Sequence, residues 1–412
     1  MYNSQRQRSE RAIANDEAIL DAAVGATLRV GVDSMSLRDV GKSAGLTHGA
    51  TYARYEDVHE LLVDMWQSRL CGRAIEILEA SIRAVAMPND ATVGEIIDLI
   101  RRPEPRDVAM VEMLLTSRRI PVLQEEVEPF VNMYLELPQG TPAESESEFV
   151  RIRSLFAFTM VSIFEEYYFD ADDEYLRFLK ETLINTLQID LGDISGQTRS
   201  LDVKRAVFVP DDDLRSQLTY STAMVIGKSG YYGATISRIA RRVGCSPGAI
   251  YKLYKSKEEL VLDAFRCIVG TQWIHDSDFA HILDAESIAS LLSGEASNEN
   301  ALRRNFTLET VLAAAHNQVL QPTVSGQLKD PGGVVARLGV SGVEKEWLGH
   351  MTHTIASASK GVRWLATMTD SAKNLDFSEF AESLRLALAR EWSKVQSAAL
   401  EDGTSGQSLS PS

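Results

Sequence analysis

The sequence has few of the features that define secreted, membrane or zinc-binding proteins. Its 412 residues include three cysteines, Cys71, Cys245 and Cys267, and no Cys-x-x-Cys pair. This usage argues against a disulfide framework and a zinc finger, and it fits a reducing compartment. No apolar run reaches the length of about eighteen residues that a membrane helix needs, and the N-terminal MYNSQRQRSE is too polar for a signal peptide. We therefore expect a cytoplasmic protein with no membrane contact.

Basic residues are also in deficit. Lysine and arginine total 42 against 58 aspartates and glutamates, so the formal net charge is −16. Phosphate binding requires a basic surface, and the bulk charge therefore argues against a nucleic-acid partner. The local distribution of charge has to decide this question.

Alternation of apolar and polar residues with period two is missing as well, which argues against β-sheet. Apolar residues instead recur three and four positions apart through 149–169, 175–187, 347–368 and 377–392. Such a chain is too long for one ordinary core, so more than one domain is expected. The sequence predicts an all-α protein.

One internal repeat organises the chain. The segment GVDSMSLRDVGKSAGLTHGATYARYEDVHELL (the first copy, 31–62) aligns without a gap on GYYGATISRIARRVGCSPGAIYKLYKSKEELV (the second copy, 230–261), at an offset of 199 residues. The identities include Gly45 with Gly244, Gly49 with Gly248, Tyr52 with Tyr251, Tyr55 with Tyr254 and Glu60 with Glu259. Two homologous halves follow from this repeat.

Each copy has the pattern of two short helices joined by a tight turn. In the second copy Thr235 can cap one helix, Gly244 can form the turn, and Ser246 can cap the next helix. The apolar positions that would pack between these helices are Ile236, Ile239, Ala240, Val243, Ile250 and Tyr254. The equivalent cap and turn residues of the first copy are Ser36, Gly45 and Thr47. This pattern is a helix-turn-helix, whose second helix can enter the major groove of DNA.

The string ATISRIARRVGCSPGAIYKLYKSKEEL resembles the signature of the TetR family of regulators. The first copy fits the same frame with departures, because Gly41 stands where alanine is usual and Val58 where lysine is usual. Capping boxes at Asp57/Glu60 and Ser256/Glu259 open the helix that follows each copy. The resemblance implies that the rest of each half is a helical body for ligand binding and dimerisation.

The repeat and the resemblance together predict the domains. These are a helix-turn-helix at 11–71, a regulatory body at 72–191, a linker at 192–210, a second helix-turn-helix at 211–270, a second body at 271–400 and a disordered tail at 401–412. TetR-like proteins pair the last two helices of identical subunits, and here each half supplies a candidate pair, 149–170 with 174–187 and 343–368 with 377–398. The halves are therefore expected to pack as an intramolecular pseudo-dimer, and a homodimer stays open.

The resemblance also implies which residues face DNA. In the first copy they are Ser36, Arg38, Thr47, His48, Gly49, Ala50, Tyr52 and Arg54. In the second copy they are Thr235, Ser237, Ser246, Pro247, Gly248, Ala249, Tyr251, Lys252, Lys255 and Lys257. We expect phosphate contacts from the tyrosines and Lys257, and a bidentate guanine contact from Arg38. His48 is equally well explained as a solvated residue, and Tyr55 and Tyr254 continue the apolar stripe towards the core.

The two copies differ in charge. Residues 31–62 hold three basic and five acidic side chains, whereas residues 230–261 hold six basic and two acidic ones. The second copy therefore has the better electrostatic surface for DNA. Ahead of the first copy, Arg6, Arg8 and Arg11 could offset its deficit as a basic arm.

Aromatic and sulfur-containing side chains in the bodies are candidates for an effector pocket. They are Phe156, Phe164, Tyr168, Trp347, Trp364 and Met368, with Phe158 and Tyr167 beside them. Ordinary core packing explains any single one of them at least as well. His350 and His353 share one helix face, but no carboxylate or cysteine at ligand spacing accompanies them, so no metal site is expected.

These observations predict a sequence-specific DNA-binding transcriptional regulator. We expect a repressor that leaves its double-stranded operator when a small, largely apolar effector binds in a helical body. The alternative is a protein-interaction scaffold with a degenerate first copy and one functional DNA-binding unit. No constellation of residues supports an enzyme, and no cofactor is implied.

Overall fold

The computed structural model describes residues 10–137, 139–140, 143–169, 173–189, 209–269, 284–329 and 342–401. Across these ranges the chain forms helices and turns without a strand, which confirms the predicted all-α class. None of the described helices combines the length and the apolarity that a membrane crossing requires. Arg6 and Arg8 of the basic arm, most of the linker and the tail beyond residue 401 lie outside the described residues.

The described helices follow the sequence periodicity closely. In the first half they are α1 (Glu10–Val30), α2 (Leu37–Ser43), α3 (His48–Tyr52), α4 (Val58–Met65), α5 (Cys71–Ala86), α6 (Asp90–Arg101), α7 (Pro105–Ser117), α8 (Pro121–Phe130), α9 (Ala143–Phe169) and α10 (Asp173–Gln188). In the second half they are α11 (Leu214–Gly233), α12 (Ile236–Val243), α13 (Pro247–Leu253), α14 (Lys257–Val269), α15 (Ala285–Ala296), α16 (Ala301–Ala315), α17 (Gln321–Lys329), α18 (Gly342–Met368) and α19 (Ser378–Glu401). Short π-helical turns follow α4 and α8, at Trp66–Leu70 and Val131–Leu135.

The chain divides into two compact units. One unit combines the residues up to Glu76 with Glu104–Met133, and the other combines Ile77–Pro103 with the chain from Tyr134 onward. Helices α7 and α8 therefore belong to the unit that holds the first copy. Sequence periodicity could not reveal this division, since it reports which faces of a helix are apolar and not which helices they meet.

In the first unit, α1 packs against α2, α4 and α7, and α8 packs against α4. Trp66 is buried at the start of its π-helical turn, edge to face with Phe130 at 5.9 Å between ring centroids, and its indole N–H donates to the carbonyl of Glu126 at 3.1 Å. The buried carboxylate of Glu112 accepts from the backbone N–H of Val32 at 2.6 Å. These contacts fix α7 and α8 against the helices of the first copy.

In the second unit, α11 packs against α12, α14 and α16, which carries the second copy. The long helix α9 packs along α18, and α10 packs along α19. At Gly361 an added Cβ would lie 2.8 Å from the backbone nitrogen of Phe158, so the backbones of α18 and α9 approach as only glycine permits. All four helices predicted at 149–170, 174–187, 343–368 and 377–398 are present, with bounds that differ by a few residues.

Candidate nucleic-acid interface

The second copy forms the helix-turn-helix that its sequence predicts. The hydroxyl of Thr235 accepts from the backbone N–H of Arg238 at 3.2 Å, and the hydroxyl of Ser246 accepts from that of Ala249 at 3.3 Å. Gly244 ends α12 in the left-handed conformation, with φ of 80°, which a side chain would strain. The buried cluster beneath consists of Leu218, Ile239, Ala240, Ile250, Tyr254 and Leu260, with Ile236, Val243 and Cys245 packed against it.

The first copy has the same local geometry at the equivalent residues. The hydroxyl of Ser36 accepts from the N–H of Asp39 at 3.2 Å, and that of Thr47 accepts from the N–H of Ala50 at 3.3 Å. Gly45 has φ of 71°, as the turn requires. The four predicted helix caps are therefore confirmed.

In both copies the N-terminus of the next helix is bonded in the same way. Glu60 accepts from the N–H of Glu56 at 2.7 Å, and Glu259 accepts from the N–H of Lys255 at 2.6 Å. Asp57 and Ser256 each accept from the N–H of the glutamate three residues on, so the predicted caps are present. The reciprocal bond of a capping box is shifted by one residue, because each glutamate accepts from the residue before the cap.

Gly41, where the family usually has alanine, is explained by its neighbour. A Cβ at Gly41 would lie 2.1 Å from Oγ1 of Thr51, a fully buried residue of α3. In the second copy the equivalent pair is Ala240 and Ile250, both in the buried cluster. The helices of the first copy therefore meet through a glycine and a threonine, and the departure from the family pattern is a packing feature.

Most of the predicted DNA-facing side chains lie at the surface. In the first copy Arg38, His48 and Tyr52 are exposed, and the rings of His48 and Tyr52 stack with centroids 4.3 Å apart. In the second copy Tyr251 is 57% exposed, and Lys252 is exposed beside it. Tyr55 and Tyr254 are buried, as predicted from the apolar stripe. The exposed tyrosines sit on the second helix of each pair, which is the helix that can enter a groove.

Arg54, one of the residues predicted to face DNA, is bonded within the protein. Its guanidinium donates to Asp16 and to Asp64, each at 2.9 Å, and lies over the ring of Tyr55. These contacts direct the charge towards α1 and α4. The first copy therefore presents even less positive charge than its sequence suggests.

Lys257, which is also predicted to contact DNA, is bonded within the protein as well. Its ammonium donates to the backbone carbonyl of Tyr231 at 2.5 Å and lies 3.7 Å from the centroid of the Tyr231 ring. Burial lowers the pKa of Lys257 from the ordinary lysine value. The predicted phosphate contact therefore requires this side chain to leave its place on Tyr231.

Two exposed arginines of α12, Arg241 and Arg242, were not among the predicted contacts. They contribute to the positive charge of the second copy, and their high local charge was the sequence signal that could have assigned them. Arg238 of the same helix donates to the carbonyl of Gly233 at 2.5 Å. In α12, Arg238 is therefore bonded within the protein, whereas Arg241 and Arg242 lie at the surface.

The predicted effector-lining residues are mainly packed against each other. Phe156 and Trp364 are fully buried, and their rings meet edge to face at 5.8 Å across α9 and α18. Phe164 contacts Tyr168 at 4.8 Å, and Trp347 contacts Trp392 at 4.6 Å. Phe156 and Trp364 therefore form part of the core between these helices.

A small cavity of about 30 Å³ lies nearby in the same unit. Its lining includes Ser162, Glu165 and Glu166 of α9, Tyr175 of α10 and His353 of α18, and none of the six predicted residues contributes to it. The ring of His353 stacks on Tyr175 at 4.0 Å. The histidine pair considered at the sequence level therefore packs on aromatic rings.

The geometry defines an all-α protein with a helix-turn-helix of the kind that reads DNA. A family model described as "Bacterial regulatory proteins, tetR family" matches residues 219–264, which contain the second copy and the helix that leads into it. This match supports a TetR-family, DNA-binding transcriptional regulator. No curated protein matches the chain in a sequence comparison.

Proposed function

We propose that the chain is a transcriptional repressor that binds one double-stranded operator through two unlike helix-turn-helix units. The observation that carries this proposal is the shared frame of the two copies, with the same four caps and the same left-handed glycine turns at Gly45 and Gly244. The exposed residues on this frame differ, including Arg38 against Ser237 and His48 against Pro247. Two different surfaces on one frame are suited to two different half-sites.

The second copy supplies most of the affinity in this proposal. It carries six basic side chains against two acidic ones, and Lys252, Arg241 and Arg242 are exposed. The first copy has the opposite balance, and its Arg54 is held by two carboxylates. Affinity for the phosphate backbone follows local positive charge, so the second copy anchors the chain while the first one selects the site.

The two halves pair with each other as an intramolecular pseudo-dimer. Support comes from the packing of α9 on α18 and of α10 on α19, because these are the last two described helices of each half. Helices α9 and α18 each have 27 residues and begin at the same repeat offset as the two copies. One chain would then be the smallest unit that binds DNA, and its operator would not be a palindrome.

Release from the operator would follow the binding of a small effector in a helical body. Binding changes the DNA affinity when the effector and the DNA favour different conformations of the bodies. The cavity beside Tyr175 and His353 marks one place where packing between α9, α10 and α18 is incomplete.

A scaffold with one functional DNA-binding unit is the second candidate. The retention of Arg54 by Asp16 and Asp64 favours it, because it removes a cation from a copy that is already acidic. In this case the first copy would bind a protein.

Gel shifts of the intact chain against its own upstream region separate the two candidates. Arg38→Ala tests the first copy and Tyr251→Ala tests the second, with Lys345→Ala, an exposed residue of α18, as control. A base contact by Arg38 predicts a loss of about 1–3 kcal/mol on the cognate site and relaxed preference at one base pair. If Arg38→Ala keeps full affinity and specificity, the first copy does not read DNA, and the scaffold is supported in place of the repressor. Two chains on one perfect inverted repeat, measured by sedimentation on a minimal footprint, would refute the pseudo-dimer.

A further inference from the structure

The interface between α9 and α18 contains a buried ion pair that breaks the equivalence of the two halves. Nζ of Lys360 lies 2.5 Å from Oε2 of Glu165, and the two side chains are only 10% and 13% exposed. At the repeat offset of 199, the residue equivalent to Lys360 is Val161, and the residue equivalent to Glu165 is Trp364. Val161 and Trp364 are both buried. One side of this interface is therefore ionic and the related side is apolar.

The same two helices also approach closely at a position where the two halves have different residues. Gly361 of α18 lies against the backbone of Phe158, where a Cβ would come within 2.8 Å of nitrogen and 3.0 Å of Cα. The residue of α9 equivalent to Gly361 is Ser162. A serine in the glycine's place would collide with backbone, which cannot move aside as a flexible side chain can.

We propose that this interface pairs unlike halves and rejects like ones, with the Glu165–Lys360 pair and Gly361 as the residues that select the partner. The inference rests on the proposed pairing of the two halves and says which surfaces are able to meet. The partner of each half is the other half, in the same chain or exchanged between two chains.

Pairing of two first halves with the same helix geometry is disfavoured twice. Each Glu165 would face Val161 of the other copy and lose its counter-ion, and each Ser162 would press on the backbone at Phe158. An uncompensated buried carboxylate is strongly destabilising.

Pairing of two second halves is disfavoured once. Each Lys360 would face Trp364 in place of a carboxylate. An indole face attracts an ammonium less strongly than a carboxylate in direct contact, so burial would not be compensated. Two further contacts between the described parts of the halves agree with unlike pairing, since Arg151 of α9 pairs with Glu379 and Asn185 of α10 bonds to Glu391 at 2.9 Å.

Charge exchange in the full chain tests the proposal. Glu165→Lys buries two lysines, and Lys360→Glu buries two carboxylates. Each single variant is expected to lower the yield of soluble single chains by about tenfold or more, because a buried charge without its partner is strongly destabilising. The double variant Glu165→Lys/Lys360→Glu restores the pair with reversed polarity and should recover the monomer and its melting temperature.

Co-expression of the two single variants with different tags provides the decisive measurement. The first half of the Glu165→Lys chain can pair only with the second half of the Lys360→Glu chain. The two remaining halves then restore the original ion pair, so a mixed two-chain assembly should form. Native mass spectrometry with tandem purification detects it. The matched control is Glu181→Lys, which places a second lysine at the exposed contact with Lys394 between the same halves, 3.9 Å long in the original chain. It should change little, because both side chains are more than half exposed and Lys394 keeps its pair with Glu391.

Several outcomes would overturn the proposal. They are single variants that behave like the original chain, a double variant no better than the singles, or stable two-chain assemblies of one variant alone. None of these measurements uses DNA. If the variants assemble as expected but the chain does not bind its operator, only the proposed function is overturned. If the chain binds DNA but its assembly does not respond to charge exchange, only this inference is overturned.

Discussion

The hydroxyl of Tyr254 donates a hydrogen bond of 2.6 Å to Oδ2 of Asp263. The first copy repeats this bond between Tyr55 and Asp64 at 2.7 Å, at the same repeat offset. The arginine that neutralises the aspartate, however, comes from a different position in each copy. Arg215 of α11 supplies it in the second copy, and Arg54, directly after α3, supplies it in the first.

The two copies therefore differ at two equivalent positions. The residue equivalent to Arg215 is Asp16, and the residue equivalent to Arg54 is Leu253. We predict that Arg54→Leu destabilises the chain by about 1–2 kcal/mol, because Asp16 and Asp64 then lose the guanidinium to which both are bonded. The double variant Asp16→Arg/Arg54→Leu, which copies the second arrangement, should recover most of this loss. Urea unfolding measures the free energy of unfolding of both variants. If the effects of the two substitutions simply add in the double variant, the two positions are independent.

Acid stability should depend on Asp263. The Arg215 guanidinium holds the pKa of Asp263 below its ordinary value, and the Tyr254 hydroxyl adds to this effect. A depressed carboxyl pKa contributes stability that is present above the unfolded-state value of about 3.9 and is lost as the pH falls through the folded-state value. Asp263→Asn should therefore lower stability at neutral pH and flatten its decline below about pH 4. Unfolding curves that stay parallel between the two proteins at all pH values would contradict this.

Gly41→Ala should loosen the first copy. The new Cβ would lie 2.1 Å from Oγ1 of the buried Thr51, and relieving this overlap should cost about 1–3 kcal/mol. Hydrogen exchange of peptides from α2 and α3 measures the effect locally. Gly72→Ala is the control, since Gly72 lies in α5 with open space around its Cβ and should gain helix stability. Equal exchange rates in Gly41→Ala and the original chain would show that α2 and α3 can separate freely.

The caps and turns of the site could be predicted because they depend on neighbours in the sequence. Thr235, Ser246 and their counterparts bond to a backbone N–H three residues on, so residue type and spacing determine the contact. The glycines of the turns are recognisable for the same reason. The all-α class follows equally well from periodicity, which is a local property.

The directions of charged side chains could not be predicted in this way. Arg54 bonds to Asp16, 38 positions away, and Lys257 bonds to Tyr231, 26 positions away. Family resemblance placed both on DNA, but the nearest counter-ion or carbonyl in space decides where a long cationic side chain ends. The same reason explains Phe156 and Trp364, since an aromatic residue on an apolar stripe can line a pocket or meet another ring.

Gly361→Ala should weaken the packing of α18 on α9. The added methyl group would lie 2.8 Å from backbone nitrogen of Phe158, so the helices must move apart. Gly349→Ala is a matched control on the same helix, because nothing lies within 4 Å of a Cβ there. We expect a lower melting temperature for Gly361→Ala and an unchanged or slightly higher one for Gly349→Ala. Equal melting temperatures would show that close contact of α9 and α18 contributes little to stability.

The salt dependence of DNA binding distinguishes cations that face the nucleic acid from cations that the protein retains. Lys252 is exposed on α13 next to Tyr251, whereas the ammonium of Lys257 is held on the carbonyl and ring of Tyr231. Each lost phosphate contact lowers the slope of log affinity against log salt by about one unit. Lys252→Ala should therefore flatten the slope by about one unit on specific and random DNA alike. Lys257→Ala should leave the slope unchanged and lower the melting temperature, because it removes a contact inside the protein. A flatter slope in Lys257→Ala would show that this side chain leaves Tyr231 when DNA binds, and an unchanged slope in Lys252→Ala would place DNA on another surface.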